Sequence, residues 1–202
     1  MKIPLGHSFY RQEVGVLVFR GRSPRIPGDA GHAVSFGYPV RYQIVDCGFM
    51  DLVDGSGETL AKLRRACKQL REEEIWGVVA DCGLVSLYQW ELGEELLFVG
   101  SSLCQIPIIW QMIGHSGVIG VIPGHSGLLR ESHLRHSGWR EEMELAIRGM
   151  ENQPHFSEVA IRGEGSLEPA RMEAEVIAAA QELQAQIPGL RAVVLECSNL
   201  AT

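Results

Sequence analysis

Two short stretches of the chain repeat one pattern. The first is GVVADCG at 77–83 and the second is AVVLECS at 192–198. In each, an apolar run of β-type residues is followed by one acid, one cysteine and one small residue. Such a run is typical of a strand that is buried on both faces, as the strands of parallel sheets are. The repeat therefore predicts two similar parallel sheets, each with a cysteine at the carboxyl end of a strand.

The sequence around both copies of the motif alternates between strand-like and helix-like segments. The predicted strands cover 14–19, 41–46, 75–81, 96–99, 117–122 and 192–196. The predicted helices cover 57–73, a segment after Cys82, a segment ending near Ile113, the runs LLRESHLRH and WREEMELAIRGM, and a last helix from Pro169. Ser56 is the predicted N-cap of the first helix. This alternation predicts an α/β fold with parallel strands.

The two halves predict two lobes. We expect an N-terminal α/β lobe at 1–113 that carries Cys82 and a C-terminal α/β lobe at 114–202 that carries Cys197. Each lobe would be a parallel sheet flanked by helices, with pseudo-symmetry between them. Because open parallel sheets bind ligands at the carboxyl ends of their strands, the active site is expected between the lobes. The long loop at 20–39, rich in Gly and Pro, belongs to a class that is usually functional or disordered.

Composition narrows the class of protein. The net charge is −7 and no Lys/Arg cluster forms a stripe, so we expect no nucleic-acid partner. Apolar stretches are interrupted before they reach roughly 18 residues, so we expect no membrane span. The N-terminus has no apolar segment of the secretory type. Five cysteines, an odd number, indicate reduced thiols and a cytoplasmic location.

The paired cysteines suit proton transfer at carbon. Inversion of a carbon centre needs a base on one face and a proton donor on the other, and two thiols on opposite walls can exchange these roles. We predict that Cys82 and Cys197 face one cleft with their sulfurs about 7–10 Å apart. A helix that begins after Cys82 would favour its thiolate. Asp81 and Glu196 would oppose ionisation, but alternation along an extended strand predicts that each points away from its cysteine.

The remaining cysteines are predicted to be core residues. Cys67 lies on the apolar face of the first helix, and Cys47 and Cys104 have no matched partner in the other half. A buried free cysteine usually behaves as a small hydrophobic residue.

Further polar side chains follow predicted strands and are candidates for substrate binding. Arg20 and Arg22 could clamp a carboxylate, or they could be solvated loop residues. Ser101 and Ser102 could reach the cleft, or they could cap the next element. His125 and Ser126, in PGHSG, could bind substrate oxygens.

A metal site is not predicted. The tripeptide His-Ser-Gly occurs at His115, His125 and His136, and His133 stands three positions before the last of these. No cysteine or carboxylate has chelate spacing with these histidines, and HExxH and CxxC are absent from the sequence. The phosphate-binding motifs GxGxxG and the P-loop are absent from the sequence too.

The combination of these motifs resembles a known group of enzymes. The two strand–Cys motifs, together with PRIPGD, SSLCQIP and LECSNL, resemble the aspartate/glutamate racemase superfamily over nearly the whole chain. That superfamily includes amino-acid and hydantoin racemases, a maleate isomerase and an arylmalonate decarboxylase. The resemblance implies two pseudo-symmetric α/β lobes, no cofactor and a homodimer. It maps the catalytic thiols onto Cys82 and Cys197, with Gly83, Ser198 and Asn199 beside them as substrate-binding residues.

Departures from that pattern shape the prediction. Cys82 is followed by Gly83-Leu84, where glutamate racemases have Asn-Thr, so a small carboxylate or related acidic C–H compound is expected rather than a free amino acid. Arg20 stands where many relatives carry an acid. The given sequence has five residues after Cys197, so we expect the second lobe to lack the last helix and strand of the superfamily. Cys197 is therefore expected to have the higher thiol pKa and the greater mobility.

The function predicted from the sequence is a cofactor-independent racemase or isomerase that uses Cys82 and Cys197. Two alternatives stay open. One is a lyase or hydrolase that uses a single thiol. The other is a non-catalytic relative that binds a small ligand.

Overall fold

The computed structural model describes residues 12–21 and 23–201. In order, the strands are β1 Val14–Phe19, β2 Arg41–Val45, β3 Gly77–Ala80, β4 Leu97–Val99, β5 Val118–Ile122, β6 Leu145–Ile147 and β7 Leu190–Leu195. The helices are α1 Gly57–Glu72, α2 Gln89–Gly93, α3 Ile106–Met112, α4 Glu131–His136, α5 Pro154–Phe156 and α6 Pro169–Gln186. A π-helical turn, Ser157–Ile161, continues α5.

Two parallel sheets organise these elements. The first has the order β2-β1-β3-β4 and the second has the order β6-β5-β7. The sheets correspond strand by strand: β1 matches β5 at the centre, β2 matches β6 on one side, and β3 matches β7 on the other. The predicted fold class, α/β with two parallel sheets flanked by helices, is confirmed.

The register of the sheets brings the equivalent strand ends together. Ala80 pairs with Leu17 of β1, and Leu195 pairs with Ile122 of β5. The next backbone N–H in each case continues the ladder, from Asp81 to the Leu17 carbonyl at 3.0 Å and from Glu196 to the Ile122 carbonyl at 2.9 Å. The acid–Cys pair therefore leaves each sheet at the same edge.

Helix α1 forms as its sequence predicts. The Ser56 Oγ accepts a hydrogen bond from the Thr59 N–H at 3.1 Å, so Ser56 is the N-cap. Leu63, Cys67 and Leu70 recur at helical spacing and are buried against the first sheet. Cys67 is therefore a core residue, as predicted.

The second sheet is covered on both faces. Ile119 and Val121 of β5 pack in a cluster with Leu103 and Ile106, whereas Ile122 faces the cluster that contains α6. Alternation along a strand sends successive side chains to opposite faces, which explains this division. Helix α3 and the turn before it pack on the second sheet, although both precede residue 113. The predicted boundary between the lobes after residue 113 remains a prediction.

The helix predicted over WREEMELAIRGM is wrong. Strand β6 occupies part of this run and pairs in parallel with β5, Ile119 opposite Leu145 and Val121 opposite Ile147. Its place matches that of β2 in the first sheet. The pairing satisfies the backbone N–H and C=O groups along one edge of β5. The free energy gained by these hydrogen bonds outweighs the helical preference of the local sequence.

The lobes contact each other through polar groups as well as apolar ones. The Arg130 Nη2 lies 2.6 Å from Asp54 Oδ1. The Ser102 Oγ donates to the Leu195 carbonyl at 2.6 Å. His136 stacks on Trp90 with ring centroids 4.1 Å apart. Among the described helices, none is long and apolar enough to cross a membrane.

Candidate active site

A cleft lies where the carboxyl ends of the two sheets face each other. It has a volume of about 150 Å³. A cavity of this volume can hold a molecule about the size of benzene. Much of its wall is apolar and comes from both halves of the chain: Phe19, Phe49, Leu84, Leu128, Phe156 and Ile161. The cleft therefore suits a small substrate with an apolar portion.

Both cysteines of the repeated motif line this cleft. Cys82 and Cys197 are free thiols, and each is the N-cap of a short 3₁₀ helix, Gly83–Tyr88 and Ser198–Leu200. The two sites are thus equivalent in local structure as well as in sequence. The distance of about 7–10 Å between the sulfurs stays a prediction.

Burial raises the pKa of both thiols, so the expectation that the helix after Cys82 favours its thiolate is wrong. The largest cause is loss of solvation, and the second is the negative charge of Glu196. The Leu84 N–H lowers the pKa of Cys82, and the Asn199 N–H and side chain lower that of Cys197, but burial outweighs them. The pKa of Cys197 reaches about 12. The thiols are therefore protonated at neutral pH until another group accepts the proton.

The acids of the motif line the cleft instead of pointing away from it. Asp81 and Glu196 are buried and stand beside Cys82 and Cys197 in its wall. Strand β3 ends at Ala80 and β7 ends at Leu195, so each acid is the first residue after its strand. Both acid–Cys pairs, Asp81–Cys82 and Glu196–Cys197, therefore lie in the wall of one cleft.

A buried ion cluster forms one side of the cleft. The Arg25 Nη2 lies 2.5 Å from Asp81 Oδ2, and its Nη1 donates to Asp29 Oδ1 at 2.9 Å. The approach to Asp81 is a close ion pair outside hydrogen-bond geometry, since neither Asp81 carboxylate oxygen has an aligned donor. Burial raises the pKa of Asp81 to about 6, although Arg25 opposes this shift. The cluster carries two acids for one cation.

The Glu196 carboxyl reaches from the second lobe to the first. A Cβ added to Gly83 would lie 2.1 Å from Glu196 Oε1 and 2.7 Å from its Cγ. The Gly124 backbone hydrogen bonds to the carboxyl, but burial is the larger effect and raises the pKa of Glu196 to about 7. Glycine at position 83 is therefore what lets this carboxyl stand next to Cys82.

We expect Gly83→Ala to lower the free energy of unfolding by about 2 kcal/mol, because the added methyl overlaps the buried Glu196 side chain, which must shift. Chemical denaturation measures this. Gly57→Ala is the matched control, since nothing lies within 4 Å of a Cβ at that position. The double variant Gly83→Ala/Glu196→Ala should recover part of the loss, and additive effects would contradict the contact.

The predicted arginines differ in position. Arg20 lines the cleft, but it is well exposed and its Nε pairs with Asp46 Oδ1 at 2.7 Å. Arg22 lies outside the described residues. Arg25, which the sequence analysis did not single out, has the deeper place in the cleft wall.

The predicted serines after β4 face a different space. Ser101 and Ser102 line a second cavity that shares Asp81, Gly83, Glu196 and other residues with the cleft. The Ser101 Oγ accepts from the Leu103 N–H at 3.1 Å and so caps the next turn. Ser102 is bonded to the other lobe, as described above. The structure therefore brings these serines to a second cavity, which Cys197 and Ser198 also line, and their role in substrate binding remains a prediction.

The remaining predicted residues group around Cys197. His125, Ser198 and Asn199 line the cleft with Gly83. The Asn199 Nδ2 lies 3.8 Å from the Cys197 sulfur. Ser126 instead binds the Glu151 carboxylate through both its backbone N–H and its hydroxyl.

Over residues 12–21 and 23–201, no three His, Cys, Asp or Glu side chains form a group that could hold a metal ion. His133, one of the histidines weighed for zinc, is buried and accepts from the Arg130 N–H at 3.0 Å.

The groups that the sequence analysis missed come from the loop after β1. Arg25 and Asp29 belong to PRIPGD, and the Asp29 carboxylate also accepts from the Gly31 N–H at 2.6 Å, which shapes the loop. The available signal was the paired charge in a Gly/Pro-rich segment directly after a strand. Their contact with Asp81 could not be deduced, because it joins positions far apart in the chain.

Comparison with known protein structures identifies similar folds. A crystal structure of an aspartate racemase homologue from Pyrococcus horikoshii matches 94% of this chain and 86% of its own, with a TM-score of 0.54 and 14% identity. The fold is racemase-like. No protein-family model matches this chain.

One curated relative is similar in sequence. A dimethylsulfoniopropionate lyase from Durusdinium sp. clade D is 27% identical over 187 residues. The match covers 87% of this chain and 61% of the relative, so this chain spans less than two thirds of that protein's length.

Proposed function

We propose that this protein is a cofactor-independent enzyme of the racemase and lyase type, which removes the proton next to the carboxylate of a small substrate. The observation that carries the proposal is the entry of Cys82 and Cys197 into one cleft from equivalent ends of two equivalent sheets. A racemase or isomerase is the reaction that this geometry supports best. One thiolate takes the proton from one face of the carbon, and the other thiol returns a proton to the opposite face.

The cleft offers groups for a carboxylate next to the thiols. Arg25 supplies a guanidinium, and its Nη1 lies 3.5 Å from the Ser198 Oγ. His125 and Asn199 add polar side chains to the same wall. A guanidinium beside hydroxyl and amide donors matches the geometry of a carboxylate. Because Arg25 already pairs with Asp29 and Asp81, we assign the substrate carboxylate to His125, Ser198 and Asn199 beside it, and the reacting C–H to the space between the thiols.

A lyase is the second candidate, and the buried acids favour it. Asp81 and Glu196 are buried in the cleft wall, whereas Arg20 is exposed and pairs with Asp46, and Arg25 is shared with Asp29, so the cleft complements a substrate that also carries a positive charge. Dimethylsulfoniopropionate, named for the similar lyase, is a small carboxylate with a sulfonium cation. Removal of the proton next to its carboxylate would expel dimethyl sulfide and leave acrylate, a reaction that requires one base rather than two.

The test is proton exchange observed by NMR in D₂O. The protein is incubated with small carboxylates, which are aspartate enantiomers, an arylmalonate, maleate and dimethylsulfoniopropionate, and with one related acidic C–H compound, a 5-substituted hydantoin. Loss of the C–H signal with inversion supports the racemase, and formation of acrylate with dimethyl sulfide supports the lyase. Cys104→Ala, whose thiol contacts Gln89 outside the cleft wall, serves as the matched control.

Absence of exchange with every compound, under conditions in which the protein remains folded, would support the non-catalytic alternative. Pairing into a homodimer and a cytoplasmic location remain predictions. Sedimentation of the purified protein tests the first of these.

A further inference from the structure

The Glu196 carboxyl stands between the two thiol motifs. Its Oε1 occupies the space beside Gly83, the residue that follows Cys82. It also hydrogen bonds to the Gly124 backbone, and a Cβ at Gly124 would lie 3.2 Å from the Cys197 sulfur. The Glu196 carboxyl therefore contacts Gly83, which follows Cys82 in the chain, and Gly124, which lies beside the Cys197 sulfur.

The other charges near this carboxyl are already engaged. From the first lobe, Asp81 faces it with Arg25 and Asp29, and those three groups neutralise one another in part. From the second lobe, His125 lines the same cleft. Within the described part of the chain, Glu196 forms no salt bridge with a cation. Its negative charge therefore acts on the nearest ionisable groups, which are Cys82 and Cys197.

We propose that Glu196 is the proton acceptor that generates the thiolate, and that it carries protons between Cys82 and Cys197. The inference rests on the proposed function. A proton passes from one thiol to the Glu196 carboxylate, which leaves a thiolate and a neutral carboxylic acid. The thiolate then takes the substrate proton and becomes a thiol again. Only one member of the pair, the thiol or the Glu196 carboxyl, carries a negative charge at a time, so the two are never anions together.

The same carboxyl can reset the enzyme after inversion. Once Cys82 has taken a proton and Cys197 has given one, the first is a thiol and the second is a thiolate. Glu196, which is still a carboxylic acid, gives its proton to the Cys197 thiolate and then takes the proton of Cys82, and the starting state returns. In an elimination, the proton would instead leave towards solvent. Glu196 also lines the second cavity with Ser101 and Ser102, which provides a polar route of that kind.

The test compares wild type with Glu196→Gln and Glu196→Asp. The alkylation rate of each cysteine by iodoacetamide is followed by peptide mass spectrometry across pH. If the carboxylate shares its proton with a thiol, the wild-type rate rises to a plateau as the pair loses its first proton, and it rises again at high pH. Glu196→Gln has no carboxylate and therefore no negative charge that opposes ionisation of the thiols, so we expect one continuous rise without the plateau and a rate at pH 8 at least as high as that of wild type.

Turnover gives the second readout. We expect Glu196→Gln to lower kcat by about 10²-fold or more and Glu196→Asp, which retains the acid, to recover part of it. Glu173→Gln, at an exposed position of α6, is the control. A single high-pH rise in wild type, or an alkylation profile unchanged by Glu196→Gln, overturns the proposal even if turnover falls. Alkylation needs no substrate, so it tests the role of Glu196 separately from the proposed function. The proposed function fails if the protein exchanges the proton of no tested compound.

Discussion

Replacement of Cys82 or Cys197 by alanine is expected to lower turnover by about 10³-fold or more, and replacement of both should cost little beyond either one. The physical reason is that the two thiols act as one unit: inversion needs a base and a proton donor in the same cycle. Both line one cleft from equivalent 3₁₀ helix N-caps. Steady-state kinetics on an exchanging substrate measures the effect.

Two comparisons make this result specific. Cys104→Ala removes a partly buried thiol outside the cleft wall and should leave kcat close to wild type. The serine variants of both cysteines test whether a weaker acid of similar shape can substitute. If one alanine variant retains near-normal activity while the other is inactive, the two-thiol racemase is wrong and the single-thiol lyase gains support.

Replacement of Arg25 by methionine is expected to lower the free energy of unfolding by about 3 kcal/mol at pH 8. Methionine keeps much of the length of the side chain but removes the cation that faces two buried acids, Asp29 and Asp81. An uncompensated carboxylate in such a site is strongly unfavourable, and Asp81 can relieve this only by protonation.

The loss should depend on pH in a defined direction. Burial already raises the pKa of Asp81 from 3.8 to about 6, and removal of Arg25, which lowers that pKa, would raise it further. A group whose pKa is raised on folding favours the folded state at low pH and loses that contribution as pH rises. The variant should therefore approach wild-type stability near pH 4 and fall behind it steadily up to pH 8.

Urea unfolding at pH 4, 6 and 8 measures this dependence. Arg20→Met is the matched control, because the ion pair of Arg20 with Asp46 is exposed, with side-chain accessibilities of 71% and 80%. An exposed pair of this kind contributes roughly 0–1 kcal/mol. Equal losses for the two variants, or a loss for Arg25→Met that is the same at every pH, would contradict the buried cluster.

The racemase-like fold explains how such different groups meet. The two sheets direct the carboxyl ends of β3 and β7 to one cleft, and the loop after β1 supplies Arg25 and Asp29 at the same edge. Ligand sites at the carboxyl edge of parallel strands are a general property of α/β folds. Within this chain, the features that distinguish the site are the acid before each cysteine and the glycine after Cys82.

Local features of the sequence predicted a large part of this structure. The apolar runs at β1, β3, β5 and β7, the Ser56 cap and the amphipathic face of α1 depend on residues that are near one another in the chain. Their periodicity reports burial directly, so the α/β class and the strand-end position of both cysteines followed from it. The repeated motif likewise indicated one shared site.

Tertiary contacts decided the remainder, because they join residues that no local pattern connects. Strand β6 forms since β5 offers an unpaired edge, although the sequence of that run favours a helix. Asp81 and Glu196 line the same cleft as the cysteines that follow them. Arg25 meets Asp81, and Glu196 meets Gly83, across long separations in the chain. The thiol pKa values rise because their ionisation depends on the burial and charge that these contacts create, and neither is a property of the cysteine motif alone.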